Sequence, residues 1–124
     1  MTPKFSPGAN IAIKVPSHEY DSTVNFYQHV LGLEKQEIAG VDDEYSVVFD
    51  FDGKNLWVDN ASTVSQSEVW LEIQVNDAKA AERHFAEHNI RFRNDIEILP
   101  TGYNGFWIAS PANTIHLISE FKSD

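Results

Sequence analysis

The chain has 124 residues, 42% of them hydrophobic and 23% charged, which suits one compact domain with its own core and excludes a disordered or fibrous protein. Nineteen acidic residues against nine basic ones give a net charge of −10. Such a surface repels nucleic acid and anionic membranes and modestly favours cationic ligands, although acidic charge also serves solubility. There are no cysteines, so disulfides, thiolate metal sites and cysteine nucleophiles are excluded. The apolar runs are too short to cross a bilayer, which needs about 20 residues. Met1 to Asn10 lacks the basic-then-apolar pattern of a secretion signal, so a cytoplasmic location is expected.

In chain order, Ile11-Ala12-Ile13-Lys14-Val15 alternates apolar and other residues, the period of a half-buried strand. A helical pattern follows from about Tyr20 to Leu31. Asp21 or Ser22 is available as its cap, Val24, Tyr27 and Leu31 form its stripe, Phe26 and Val30 lie beside it, and Gly32 stops it. Three strands are expected next, over Glu34–Ala39, Glu44–Phe51 and Asn55–Asp59, with Asp52-Gly53 as a hairpin turn.

The pattern then repeats. Leu71-Glu72-Ile73-Gln74-Val75 matches the first strand at an offset of 60, and a second helix runs from about Ala78 to His88. Asn76 or Asp77 caps it, Ala78, Ala81 and Phe85 make its stripe, and Asn89 terminates it. Phe26 matches Phe85, His29 matches His88, and Leu56-Trp57-Val58 matches Ile115-His116-Leu117, now at an offset of 59. Strands are expected over Arg91–Leu99, Gly105–Ser110 and Thr114–Glu120, with Pro111-Ala112-Asn113 in place of the Asp-Gly turn. The fold class expected is α+β, two tandem βαβββ modules at about 8–60 and 68–121 in one domain of residues 1–124.

Phe26-Tyr27-Gln28-His29-Val30-Leu31-Gly32-Leu33-Glu34 and Pro111-Ala112-Asn113-Thr114-Ile115-His116-Leu117 resemble two signatures of the glyoxalase/bleomycin-resistance/dioxygenase (vicinal oxygen chelate) superfamily. These are its "FYxxvLGLe" helix end and its "DPdGnxieL" final hairpin, the latter with Asp-Pro changed to Ser110-Pro111. The resemblance covers most of the chain. It implies a mixed sheet cupped around a cavity with the helices outside.

Taking the more apolar face of each strand as core places Asn10, Ala12, Lys14, Trp70, Glu72 and Gln74 on the cavity face. Asn55, Trp57, Asp59, Thr114, His116 and Ile118 follow from the last strands, with Leu56, Val58, Ile115 and Leu117 toward the helices. Trp107 and Ala109 join the cavity from the strand before. The resemblance implies four metal-ligand positions, carried over as Asn10, Trp57, Trp70 and His116. Of these only His116 ligates a metal well, so no metal and no cofactor are expected. A shifted site would need Glu72, Asp59 or Glu120 beside His116.

Three functions stay open. The first is a metal-free small-molecule binding protein of the bleomycin-resistance type. It would hold an aromatic or cationic ligand with Asn10, Lys14, Trp57, Asp59, Trp70, Gln74 and Trp107. The second is a glyoxalase- or dioxygenase-like enzyme, a lyase, isomerase or oxidoreductase, with a displaced metal or with His116 and Glu72 as acid and base. The third is an interaction module without a pocket. His116 equally reads as an ordinary polar residue, and the three tryptophans equally read as filling. The resemblance also implies a homodimer.

Overall fold

The computed structural model describes residues 2–121; the outermost positions of the expected domain, Met1 and residues 122–124, lie outside the described residues. The chain forms two compact units, one of Ala9–Trp70 and one of Leu71 onward together with the segment up to Gly8. Each is a βαβββ module, and the fold is α+β.

In the unit of Ala9–Trp70, β1 (Phe5–Val15) enters from the preceding segment and leads to a 3-10 turn, Ser17–Glu19, and to α1 (Tyr20–Asn25). A π-helical turn over Phe26–Val30 closes the helix, and then come β2 (Lys35–Gln36), β3 (Ser46–Phe51) and β4 (Lys54–Asn60). The order is β2-β3-β4-β1, with β1 and β4 parallel and the other pairs antiparallel. One face of this sheet carries Val15, Val47, Phe49, Leu56 and Val58, buried against Tyr20, Val24 and Tyr27 of the helix. Asp52 and Gly53 both take positive φ, 55° and 86°, as a tight hairpin turn of the expected kind requires.

The first helix departs from its expected form. Glu19 rather than Asp21 or Ser22 stands at its start, without a side-chain cap, while Ser22 and Thr23 hydroxyls donate back to the Glu19 carbonyl. The π turn, closed by the Leu31 N–H to the Phe26 carbonyl, rotates the apolar stripe. Phe26, Val30 and Leu31 are consequently 45%, 66% and 52% exposed, and Leu33, after Gly32 at φ 73°, packs on the core instead.

In the other unit, β5 (Glu68–Val75) leads to α2 (Ala78–Glu87), β6 (Arg91–Phe92), β7 (Gly105–Ala109) and β8 (Ile115–Glu120). The order is β5-β8-β7-β6, with β5 and β8 parallel. Asp77 caps α2 by accepting from the Ala80 N–H, worth about 1 kcal/mol, and Asn89 ends it at φ 59°. Ala81, Phe106, Ile108, Ile118 and Val75 form the core, with Ile73, Ala78 and Phe85 against it. The segment before Gly8 belongs to this unit: Lys4 exchanges hydrogen bonds with Asn76, and Phe5 packs on Phe85 at 5.3 Å. The strands expected over Glu34–Ala39 and Arg91–Leu99 shrink to two residues each, because the chain beyond them turns away from the ladder.

The register corrects one face assignment. Ile13 pairs with Val58, and Ile73 pairs with Ile118, so the last strands correspond at an offset of 60, not 59. His116 and Ile118 therefore point to the helix side, and Ile115 and Leu117 point away from it.

Candidate functional site

The face of the Ala9–Trp70 unit that is turned away from its helix carries three cross-strand rows. These are Asn10–Asn55–Asp50, Ala12–Trp57–Val48 and Lys14–Asp59–Ser46. Strand alternation brings them there, since the intervening residues are the apolar ones the helix covers. Asn10 Oδ1 accepts from the Trp57 indole N–H at 2.8 Å and from Asn55 Nδ2 at 3.2 Å. Lys14 Nζ donates to Asp59 Oδ2 at 2.8 Å, and Ser46 Oγ donates to Asp59 Oδ1 at 2.6 Å. The same ammonium lies 4.3 Å from the centroid of the Trp70 ring. Trp70 Nε1 donates to Glu68 at 3.2 Å. Asn10, Lys14, Trp57, Asp59 and Trp70 are each only partly buried, while Val48 in the Trp57 row is fully buried.

Five of the expected site residues are thus brought together. Their chemistry differs from expectation in one respect. Trp70's ring and Asp59's carboxylate, the groups expected to hold a cationic ligand, already hold the protein's own Lys14. Trp57 has its N–H engaged at its edge, which fixes the ring plane. Ser46 joins the site without having been singled out, and its position opposite Asp59 in the β3–β4 hairpin was the available signal.

In the other unit, Glu72, Leu117 and Trp107 form one row, and Gln74, Ser119 and Gly105 the next, all turned away from α2. Trp107 is 7% exposed, with its indole N–H donated to the Glu97 carbonyl at 3.1 Å under the chain between β6 and β7. Glu72 lies close over Gly8, where any side chain would strike it. Tyr103 lies across Gly105, hydrogen bonds to Ser119 and stands near Glu72. Burial raises its pKa, the Ser119 bond opposes this, and the Glu72 charge adds to it.

His116 is not on that face. It sits with Phe85, Ile73 and Ile118 on the helix side, Nδ1 donating to the Thr114 carbonyl at 2.9 Å. A Glu72–His116 acid–base pair is therefore not formed. Glu120, offered as a shifted ligand, instead accepts from the Ala78 N–H at the start of α2 and from Asn104.

The metal-ligand positions can be restated on this register. Counted from Ser110-Pro111, the acidic position of the hairpin signature falls on Leu117, the true counterpart of Trp57. Asn10, Trp57, Trp70 and Leu117 offer one carboxamide, two indoles and an alkyl chain, which do not fit a divalent ion. Among the described residues no three His, Asp or Glu side chains gather as a metal site. No described helix is long and apolar enough to cross a membrane.

No protein-family model and no curated protein matches the sequence. Solved structures do match, and they establish the fold as that of the glyoxalase/bleomycin-resistance/dioxygenase superfamily. A superfamily member from Vibrio splendidus 12B01 is 15% identical with a TM-score of 0.62, over 90% of this chain and 97% of that one. The Mn(II)-bound glyoxalase from Novosphingobium aromaticivorans is 16% identical with a TM-score of 0.64, over 95% of this chain. Homoprotocatechuate 2,3-dioxygenase from Arthrobacter globiformis is 20% identical with a TM-score of 0.65, over 98% of this chain. This chain spans only 40% of the glyoxalase and 38% of the dioxygenase.

Proposed function

We propose that the protein is a metal-free small-molecule binding protein that stacks a planar aromatic ligand on the indole-bearing face of the Ala9–Trp70 unit. The observation that carries this reading is the Asn10–Trp57 hydrogen bond. It orients a large π surface beside the small Ala12, at a Trp57 that is only partly buried although Val48 in the same row is fully buried. The fold is compatible with the reading, since one matching structure is described as a member of a superfamily that takes in bleomycin resistance proteins beside glyoxalases and dioxygenases. Lys14 on Trp70 narrows the ligand. A cation would have to displace an ammonium already paired with Asp59, so a neutral or anionic aromatic with a hydrogen-bonding edge suits the face better. A homodimer acting in the cytoplasm belongs to the same reading, with light scattering as the check on its state.

Fluorescence titration with a panel of neutral, anionic and cationic aromatic compounds tests it. Quenching by neutral or anionic members, lost in Trp57→Ala, is the expected result. Quenching unchanged in both Trp57→Ala and Trp70→Ala overturns it.

Tyr103 favours one second reading, a metal-independent lyase or isomerase with Glu72 and Tyr103 as the proton-handling groups. They share a face with Ser119, and Glu72 acts on the phenol electrostatically. Under this reading Tyr103→Phe and Glu72→Gln each abolish turnover with the fold retained.

A further inference from the structure

On the helix side of the unit that begins at Leu71 lies a pocket of about 300 Å³, open to solvent on one side and lined by Phe5, Ile73, Phe85, Ile108 and Ile118. Its one ionisable lining group is His116, with Ser110 and Pro111 at the rim. Within its own unit it lies on the opposite face of the sheet from Glu72 and Leu117. It does not rest on the function proposed above.

The His116 ring decides what such a cavity would take. A carbonyl oxygen only accepts, so the 2.9 Å contact to Thr114 places the proton of a neutral ring on Nδ1. Nε2 is then a bare acceptor, and among the described residues the ring makes no second hydrogen bond. Ser110 has its hydroxyl oxygen engaged by the Thr114 N–H. His116 lines an otherwise apolar pocket, and a ring acceptor there favours a guest that is apolar over most of its surface and carries one donor. A charged guest is disfavoured, because the lining offers no opposite charge and only the Ser110 hydroxyl and the His116 ring to replace its water. A 150 Å³ apolar cavity accepts benzene, so twice that volume takes about ten to twelve non-hydrogen atoms. Phe5 and Phe85, tilted at 42° to one another, supply ring edges and faces for an aromatic guest.

We infer that this cavity is a second ligand site, binding a small uncharged aromatic alcohol or phenol whose hydroxyl donates to His116 Nε2. The probes are 4-propylphenol and propylbenzene, which share a shape and differ in the donor. Amide and methyl NMR shifts of the whole chain, titrated with each, read both place and affinity. The phenol is expected to move Ile73, Ile108 and Ile118 and to bind roughly tenfold more tightly than propylbenzene. His116→Phe, with its spectrum otherwise native, is expected to bring the two probes level. Ile108→Trp fills the chamber and is expected to abolish binding of both. Shifts confined to the Trp57 face, no shift up to the solubility limit, or equal affinity of the two probes for the unaltered protein each overturn the assignment. Because the unaltered protein already separates these results, a variant that fails to fold does not protect it.

Discussion

Glu72 and His116 stand on opposite faces of one sheet: Glu72 pairs in register with Leu117, and His116 pairs with Leu71. The backbone between them is close, but the side chains diverge because alternate residues of a strand leave it on opposite sides. Their substitutions should therefore be independent. Glu72→Ala and His116→Ala are expected to add in chemical denaturation to within about 0.5 kcal/mol. A coupling well above 1 kcal/mol would mean that the two side chains meet.

Asn10 serves Trp57 and Asn55 with a single oxygen. Asn10→Ala removes that acceptor from a partly buried indole, and a loss of about 1–2 kcal/mol is expected in urea unfolding. Part of the loss should return in Asn10→Ala/Trp57→Phe, where no indole N–H needs a partner. A red shift of Trp fluorescence in the single variant is the accompanying sign.

Lys14 and Asp59 are 12% and 15% exposed in their side chains, so each screens the other where water screens little. Lys14→Met leaves the carboxylate facing Ser46 alone and is expected to cost about 2–4 kcal/mol at neutral pH. Lys14→Met/Asp59→Leu should recover most of this. An equal cost in the double variant would count against the pair as the source.

Tyr20 is buried, donates its hydroxyl to the Asp43 carbonyl at 2.6 Å, and has its pKa pushed up to about 12, first by burial and then by the Asp43 charge. Below the ordinary tyrosine value, near 10, both folded and unfolded chains hold the proton and its contribution is complete. As pH rises between about 10 and 12 the unfolded chain releases the proton first, so stability falls with pH through that window. Tyr20→Phe should lose about 1 kcal/mol at pH 7 and show a smaller further loss between pH 9 and 11 than the unaltered protein. Thermal unfolding at the three pH values measures it.

Gly105 lies under Tyr103, whose Cε1 would be 2.6 Å from an added Cβ, and against the Ile118 carbonyl on the neighbouring strand. The carbonyl cannot yield without loosening β8, so Gly105→Ala is expected to cost about 1–3 kcal/mol. It should also release Tyr103, seen as a fall of the phenol pKa toward the ordinary value in an ultraviolet titration.

Much of this protein is decided locally and could be read from its residues. Alternating apolar positions in Ile11–Val15 and Leu71–Val75 specify strands, Asp52-Gly53 a tight turn, Asn76 or Asp77 a helix cap and Asn89 a helix end. Each depends only on neighbours along the chain. The repeat of that grammar was enough to define two βαβββ modules and the fold. The indole-bearing face followed too, since in β1 and β4 only one of the two phases is apolar enough for a core.

The tertiary structure alone decided the rest. In β8 both phases are largely apolar, Ile115 and Leu117 against His116 and Ile118, so alternation cannot choose between them. Pairing with β5 chooses, through hydrogen bonds to a strand forty-five residues away in sequence. That single choice moves His116 from the face of Glu72 into the apolar chamber by α2. Lys14 on Trp70 was equally hidden, because the distance between an ammonium and a ring depends on two strands meeting and not on the spacing of residues in either.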